Sequence, residues 1–280
     1  MTPTVALIYD FDGTLSPMNM QEYDFLKAIG ISDKAQFWAE SQQQIVEQEA
    51  SNVLSYMKLM IEKSHAAKKP INRDTFRSYG ASVELFPGVK EWFKAINSYG
   101  TKQGVKVEHY INSSGLKEMI EGTTIAKEFE EIYACSFMYD ENGVACWPAV
   151  AVDFTAKTQF LFMINKGIRR ISENYKVNEY LPDNERPVPF SHMIYLGDGE
   201  TDIPCMKLVK QYGGRSIAVF NGERREEKRQ ILDKLILNDR VNYVCEADYR
   251  KDSDLFKTVG AIIRKIKAEC DLEEIGKSTL

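Results

Sequence analysis

Near the start of the chain a continuous apolar run, Val5-Ala6-Leu7-Ile8-Tyr9, stops abruptly at Asp10-Phe11-Asp12-Gly13-Thr14-Leu15. An apolar run this short, closed by a glycine turn signal, predicts a buried strand that feeds straight into a tight turn. The strand restricts the fold, because a continuous rather than alternating apolar pattern belongs to strands covered on both faces, as in parallel sheets. It also delivers two carboxylates to the strand's carboxyl end, the edge at which such sheets bind ligands.

The rest of the chain agrees. Val105–Ile111, Ile132–Tyr139, Val144–Val152, Ile194–Leu196, Ile217–Phe220 and Val241–Cys245 are further strand candidates. Val89–Ser98, Ser114–Glu128, Thr155–Arg170, Thr201–Tyr212, Glu223–Leu237 and Asp252–Ala268 read as helices, and Tyr175–Phe190, with its prolines, as a loop. Strands alternating with helices imply an α/β fold with a mostly parallel sheet. Glu141-Asn142-Gly143 marks a hairpin, since Asn-Gly readily supplies the positive φ angles of a tight turn. From about Met20 to Tyr79 the character is helical: Val46, Ala50, Val53, Met57 and Met60 keep a three-four spacing, with Ser32 and Asn72 as N-caps. This predicts a helical insert at 17–84 inside a core formed by 1–16 and 85–280, with Ser16–Met20 and Glu84–Gly88 as its hinges.

Bulk properties narrow the function. A net charge of −5 offers no basic excess for a nucleic-acid backbone. The most basic stretch, Arg224 to Arg229, is interleaved with glutamates and reads as a solvated helix face. The 5 cysteines form no CxxC pair, which points to free thiols in a reducing compartment. There is no basic n-region and no apolar stretch near the ~20 residues of a membrane span, so a cytoplasmic protein is expected.

Three polar clusters follow predicted strands. Asp10 and Asp12 can converge on one cation if the strand breaks at Gly13, and neighbouring carboxylates are costly unless a cation neutralises them. One such carboxylate can attack phosphorus while the other manages the leaving oxygen's proton. A plain Asp-Gly surface turn competes, but five fixed letters recur by chance at about one position in a million. In Gly197-Asp198-Gly199-Glu200-Thr201-Asp202, Asp198 sits at a strand tip and Asp202 about one turn on. Their hard oxygens suit Mg²⁺, although Thr201 or Asp202 could equally be a helix cap. Asn112-Ser113-Ser114-Gly115 could bind an anion at a helix N-terminus, or be a routine loop. Lys157 falls in the first turn of a predicted helix, where a lysine opposes the macrodipole, and such a departure can mark a functional site. Lys166 is its rival, and a solvated lysine is the default for both.

In this order the clusters resemble the haloacid dehalogenase superfamily: DxDGTL at Asp10–Leu15, a serine after a strand at Ser113, a lysine at Lys157 and GDxxxD at Gly197–Asp202. The resemblance implies a three-layer Rossmann-like core, and the position of the insert is similar to the α-helical cap of the phosphoserine-phosphatase-like branch. It further implies a Mg²⁺-dependent phosphatase acting on a small phosphorylated metabolite through an aspartyl-phosphate. Asp10 would be the nucleophile and Asp12 the general acid and base. Ser113, with Ser114 and Gly115 beside it, would bind the phosphate, and Lys157 would hold nucleophile and phosphate. Asp198 would bind the metal with Asp10 and the backbone carbonyl of Asp12, supported by Asp202. A phosphomutase or phosphotransferase is the alternative within the superfamily. A phospho-accepting signalling module or a silent binding protein is disfavoured by motif order and by the full set of reactive residues.

Other residues read as structural. His65, His109 and His192 lack ligand spacing. Trp38, Met57 and Met60 fit packing within the insert, and Glu22 a solvated position.

Overall fold

The computed structural model describes residues 2–224 and 234–278. Strands β1 (Thr4–Tyr9), β2 (Lys106–Leu116), β3 (Glu131–Tyr139), β4 (Ala145–Val150), β5 (Met193–Gly197), β6 (Arg215–Phe220) and β7 (Tyr243–Glu246) form one sheet ordered β4-β3-β2-β1-β5-β6-β7. All pairs are parallel except β3–β4, the predicted hairpin. Val5–Tyr9 is wholly buried, as its unbroken apolar pattern predicts. The chain leaves β1 for β2 on one side and reaches β5 on the other, so the carboxyl end of β1 is the topological switch point.

Between β1 and β2 lie α1 (Phe25–Ala28), α2 (Lys34–Gln48), α3 (Asn52–Ala66), α4 (Arg73–Gly80) and α5 (Val89–Lys102), followed later by α6 (Lys117–Glu121), α7 (Ala156–Asn165), α8 (Ile203–Gln211) and α9 (Asp254–Ser278). On the sheet, α5 packs with α9 and α7 with α8, giving an α/β core with helices over both faces. Under α5 a buried hydrogen-bond chain runs from Trp92 Nε1 to Tyr9 Oη (2.7 Å), on to His109 Nδ1 (3.0 Å), and from His109 Nε2 to Asn97 Oδ1 (2.9 Å). Burial pushes the His109 imidazole down to about 3, so it is neutral and structural.

The apolar stripe predicted from Val46 to Met60 is not one helix. Glu49 adopts φ 50 and ends α2, and Ser51 caps α3 by accepting from Leu54 N–H. Val46 and Val53 are seven apart and mimic a helical stripe across that break; Val46 is 70% exposed, whereas Val53, Met57 and Met60 are buried. The cap of α2 is Asp33 rather than Ser32, while Asn72 caps α4 by accepting from Thr75 N–H at 2.8 Å.

The end of the insert is tightly fastened. A Cβ on Gly80 would stand 1.9 Å from the Met119 carbonyl oxygen, and one on Gly122 1.9 Å from that of Arg77, so α4 lies backbone-to-backbone on α6. Ala145 N–H donates to the Ile71 carbonyl at 2.8 Å, joining the start of α4 to the hairpin. The segments expected to hinge are tied down as well: Phe86 N–H donates to the Leu15 carbonyl and Tyr249 N–H to that of Pro87, each at 2.9 Å.

Elsewhere the chain departs from the sequence pattern in four places. A register shift between Ser113 and Leu116 keeps β2 extended, so the helix expected from Ser114 shrinks to α6 and a turn at Ala126–Glu128. The hairpin closes as a three-residue loop with only Gly143 at positive φ (73) and Asp140 Oδ1 accepting from Asn142 and Val144 N–H, so Asn142 does not supply a second. Within Tyr175–Phe190 short 3₁₀ turns form, among them Asp183–Glu185, and α9 runs ten residues past its predicted end. Most of the predicted helix Glu223–Leu237, with its basic stretch, lies outside the described residues. Among the described residues no helix is long and apolar enough to cross a membrane.

Candidate active site

Asp10 is the first residue past β1, and its N–H still donates to the Leu196 carbonyl at 2.9 Å. The chain then turns sharply, with Leu15 N–H returning to the Phe11 carbonyl at 2.8 Å. Gly13 sits at φ +76, and a Cβ there would fall 2.3 Å from Asp198 Oδ2. Glycine is therefore needed twice, for the turn and for the approach of Asp198 from the end of β5.

Carboxylate oxygens of Asp10, Asp198 and Asp202 all lie within 4.8 Å of one another. Lys157, at the start of α7 and 0% exposed, places Nζ 3.3 Å from Asp10 Oδ1 and 2.7 Å from Asp202 Oδ1. Its burial corrects the expectation of a solvated lysine. Burial alone would depress the ammonium, but the charges of Asp10 and Asp202 outweigh it and hold it protonated well above the usual range. The rival Lys166 instead donates to the carbonyls of Val177 and Glu179.

Asp202 is fully buried and its oxygens are occupied: Oδ1 accepts from Lys157 and from Tyr195 Oη at 2.8 Å, and Oδ2 from Gly199 N–H at 3.4 Å. It holds Lys157 in place. Asn112, on β2, fixes the same lysine from its backbone, donating to the Lys157 carbonyl at 3.0 Å.

Burial, then the Asp202 charge, lifts the Asp10 carboxyl to about 7 against the pull of Lys157. Burial and the charge of Asp10 likewise push Asp12 well above the carboxylate range, although Asp12 Oδ1 accepts from Met20 N–H at 3.0 Å. Such a cluster has more negative charge than one ammonium can balance. Hard oxygens of Asp10 and Asp198 converging beside a glycine turn, with Asp202 behind them, fit a small divalent cation such as Mg²⁺.

Ser113 and Ser114 reach the same rim from β2, but within an extended strand and not at a helix N-terminus. Ser113 Oγ accepts from Gly115 N–H at 3.0 Å, while Ser114 Oγ is buried without a partner among the described residues. A Cβ on Gly115 would sit 3.1 Å from Asp12 Oδ2, bringing this segment against the second acid. Asp10, Asp12, Gly13, Asp198 and the Ser113–Gly115 segment line a cavity of about 550 Å³ beneath the insert.

The insert contributes residues that sequence patterns missed. Trp38, expected to be packing, lines the cavity and donates from Nε1 to Glu22 Oε1 at 2.9 Å. Glu22, expected in solvent, has a side chain only 15% exposed. Tyr56 donates to the Ser114 carbonyl at 2.6 Å and Ser51 to Asp153 Oδ2 at 3.1 Å, bridging insert and core. His65 and His192 take no part: His192 contacts the Thr4 carbonyl and Cys270.

Comparisons with known proteins bear on the fold and the family. An uncharacterized protein of Borreliella burgdorferi is 28% identical over 284 residues, spanning 91% of this chain and 95% of its own length. A substrate-bound phosphoserine phosphatase complex superposes with a TM-score of 0.53 at 14% identity, covering 90% of this chain and 96% of that one. A probable phosphoserine phosphatase from Vibrio cholerae, in unliganded form, gives 0.57 at 11% identity over 96% of this chain and 67% of that one. Likenesses at such identity concern the fold. The family model described as haloacid dehalogenase-like hydrolase matches residues 7–207, from within β1 to within α8, and so takes in every cluster described above. The chain belongs to the haloacid dehalogenase-like hydrolase family.

Proposed function

We propose that this hydrolase is a Mg²⁺-dependent phosphatase that cleaves a small phosphate monoester through an aspartyl-phosphate on Asp10, with residues 17–84 as a cap over the site. The observation that carries the proposal is the buried Lys157 ammonium, 3.3 Å from Asp10 and 2.7 Å from Asp202, at a site where burial and the charge of Asp10 also raise the second acid, Asp12. Mg²⁺, held by Asp10, Asp198 and the backbone carbonyl of Asp12, would neutralise phosphoryl-oxygen charge.

An Asp10 oxygen attacks phosphorus as the ester P–O bond breaks, and Asp12 gives its proton to the departing alkoxide. Asp12, now a base, takes a proton from water; the water oxygen bonds to phosphorus, the P–O bond to Asp10 breaks, and inorganic phosphate leaves. Lys157 balances the charge on Asp10 and the equatorial oxygens, which is most of what a loose phosphoryl-transfer transition state requires. Ser114 Oγ, buried without a partner, and Ser113 supply donors to those oxygens.

Phosphate release from sugar, amino-alcohol and nucleotide monophosphates is the test. Turnover should require Mg²⁺ and fall at least about 10³-fold in Asp10→Asn, the scale lost when a nucleophile is removed. Release from none of these esters, or an Asp10→Asn variant as active as the parent, would reject the proposal.

A further inference from the structure

The chemistry proposed above uses the floor of the cavity and leaves the side formed by α2 unassigned. Trp38, Ser41, Gln42 and Ile45 of that helix line the cavity, and positions 38, 41 and 45 share one helical face. Ser41 donates its hydroxyl to Ser55 Oγ at 3.2 Å and Gln42 is exposed, so the covering surface comes from the half-buried apolar pair, Trp38 and Ile45. Pro17 and Met18, also half-buried, line the same cavity from the linker. Partly wetted apolar surface that faces a cavity is stabilised when a ligand displaces the water.

The orientation of the indole is fixed. Its N–H donates to Glu22 Oε1 at 2.9 Å, and Glu22 is itself held by Asn19 Nδ2 at 2.8 Å and by Lys34 Nζ at 3.9 Å. The rings of Phe37 and Tyr56 meet it at 82° and 65°. With the N–H engaged, what Trp38 offers a ligand is carbon. Glu22 also locates it. Met20 N–H binds Asp12 Oδ1 at 3.0 Å, and Glu22 follows two residues on. Burial comes first in raising the Asp12 carboxyl, but the Glu22 charge adds to it, so the indole stands one side chain from the acid assigned to the leaving oxygen. A cavity of about 550 Å³ has room for a ring beyond the phosphate.

We propose that Trp38 and Ile45 form an apolar subsite for the leaving alcohol, with Trp38 as the specificity-determining residue, which makes the substrate a monoester whose alcohol carries an uncharged, ring-sized hydrocarbon group. The proposal rests on the phosphatase chemistry of the same site. It is tested with ethyl, 3-hydroxypropyl, n-butyl and 2-phenylethyl phosphates, which share the same leaving oxygen on a methylene and differ beyond it. The expected kcat/KM is highest for 2-phenylethyl, then n-butyl, with 2-phenylethyl at least about tenfold above 3-hydroxypropyl and ethyl.

Trp38→Ala should lower the 2-phenylethyl-to-ethyl ratio at least about fivefold and Ile45→Ala at least about twofold. Val46→Ala, on the same helix but 70% exposed and outside the cavity, should leave it unchanged. Ratios taken within one variant cancel differences in folded fraction, and Ile45→Ala carries the test if Trp38→Ala fails to fold. Hydrolysis of all these esters within about twofold, 3-hydroxypropyl equal to or above 2-phenylethyl, a ratio unchanged by both substitutions, or one moved as far by Val46→Ala overturns the subsite and leaves the phosphatase standing. Release from the sugar, amino-alcohol or nucleotide esters but from none of these does the same, and release from no ester of either set overturns both.

Discussion

Replacing Lys157 with methionine keeps the side chain's length and removes the charge between two buried carboxylates. At 2.7 and 3.3 Å each contact is worth about 5–6 kcal/mol of Coulomb attraction at an effective dielectric near 20. Desolvation of the three groups offsets most of that, and breaking a buried pair from one side costs about 3–5 kcal/mol. Lys157→Met should therefore lose about that much stability at pH 8, measured by urea unfolding in EDTA so that no metal compensates. The loss should shrink at pH 6. Burial already raises the Asp10 carboxyl to about 7 with the ammonium present, and without it protonation should begin at still higher pH. A carboxyl raised in the folded state destabilises only where the medium ionises it, so lowering the pH relieves the variant. Lys157→Met combined with Asp202→Asn should cost at least about 2 kcal/mol less than the two single losses summed, because the second change removes the charge the first left unpaired. Activity should stay lost. A single variant within about 1 kcal/mol of the parent at pH 8, or losses that add within about 0.5 kcal/mol, would refute the electrostatic account.

Gly80→Ala places a methyl 1.9 Å from the Met119 carbonyl oxygen and should cost about 3 kcal/mol, seen as a lower melting temperature; an unchanged value would deny the close contact. His109, held neutral down to about 3, is stabilising above its unfolded value near 6.5, and that contribution is lost as pH falls through the window between them. At pH 5 about 2 kcal/mol of the parent's loss should be absent in His109→Gln, read from urea midpoints at pH 7 and 5. Tyr56→Phe removes the 2.6 Å bond to the Ser114 carbonyl and should cost about 1 kcal/mol while speeding amide exchange in α2 and α3; unaltered exchange there would contradict the bridging role.

The strand, the turn and the two acids around Gly13 were legible because they form one local unit, with every cause within a few residues. Asp198 was legible for the same reason. Lys157 stood out by its misplaced charge in the first turn of a helix and by the family pattern, but its burial was not legible, since what buries it is the meeting of Asp10 and Asp202, distant in sequence. Tyr195 hid in the same way: its hydroxyl serves Asp202, but a tyrosine in an apolar strand reads as core. Trp38 and Asp153 depend on how the insert sits over the sheet, which periodicity does not encode. The serine segment was misread because a register shift has no strong local signature and a run of Ser-Ser-Gly fits a helix start equally well.

The glycine-to-glycine seam between α4 and α6 decides how anything enters. Swinging the whole insert as a lid would have to break that seam and the bonds of both linkers, whereas moving the pair α2–α3 alone would leave them intact. Its two stems contain Gly30 at φ +81, open on all sides, and Lys68 at φ +54, both natural pivots. Such a movement would have to release the bonds of Tyr56 and Ser51 to the core, the contacts of Trp38 and Lys34 with Glu22, and the packing of α3 on β4. If only α2–α3 moves, a bulky or polymeric phosphate should be turned over more slowly than a small one.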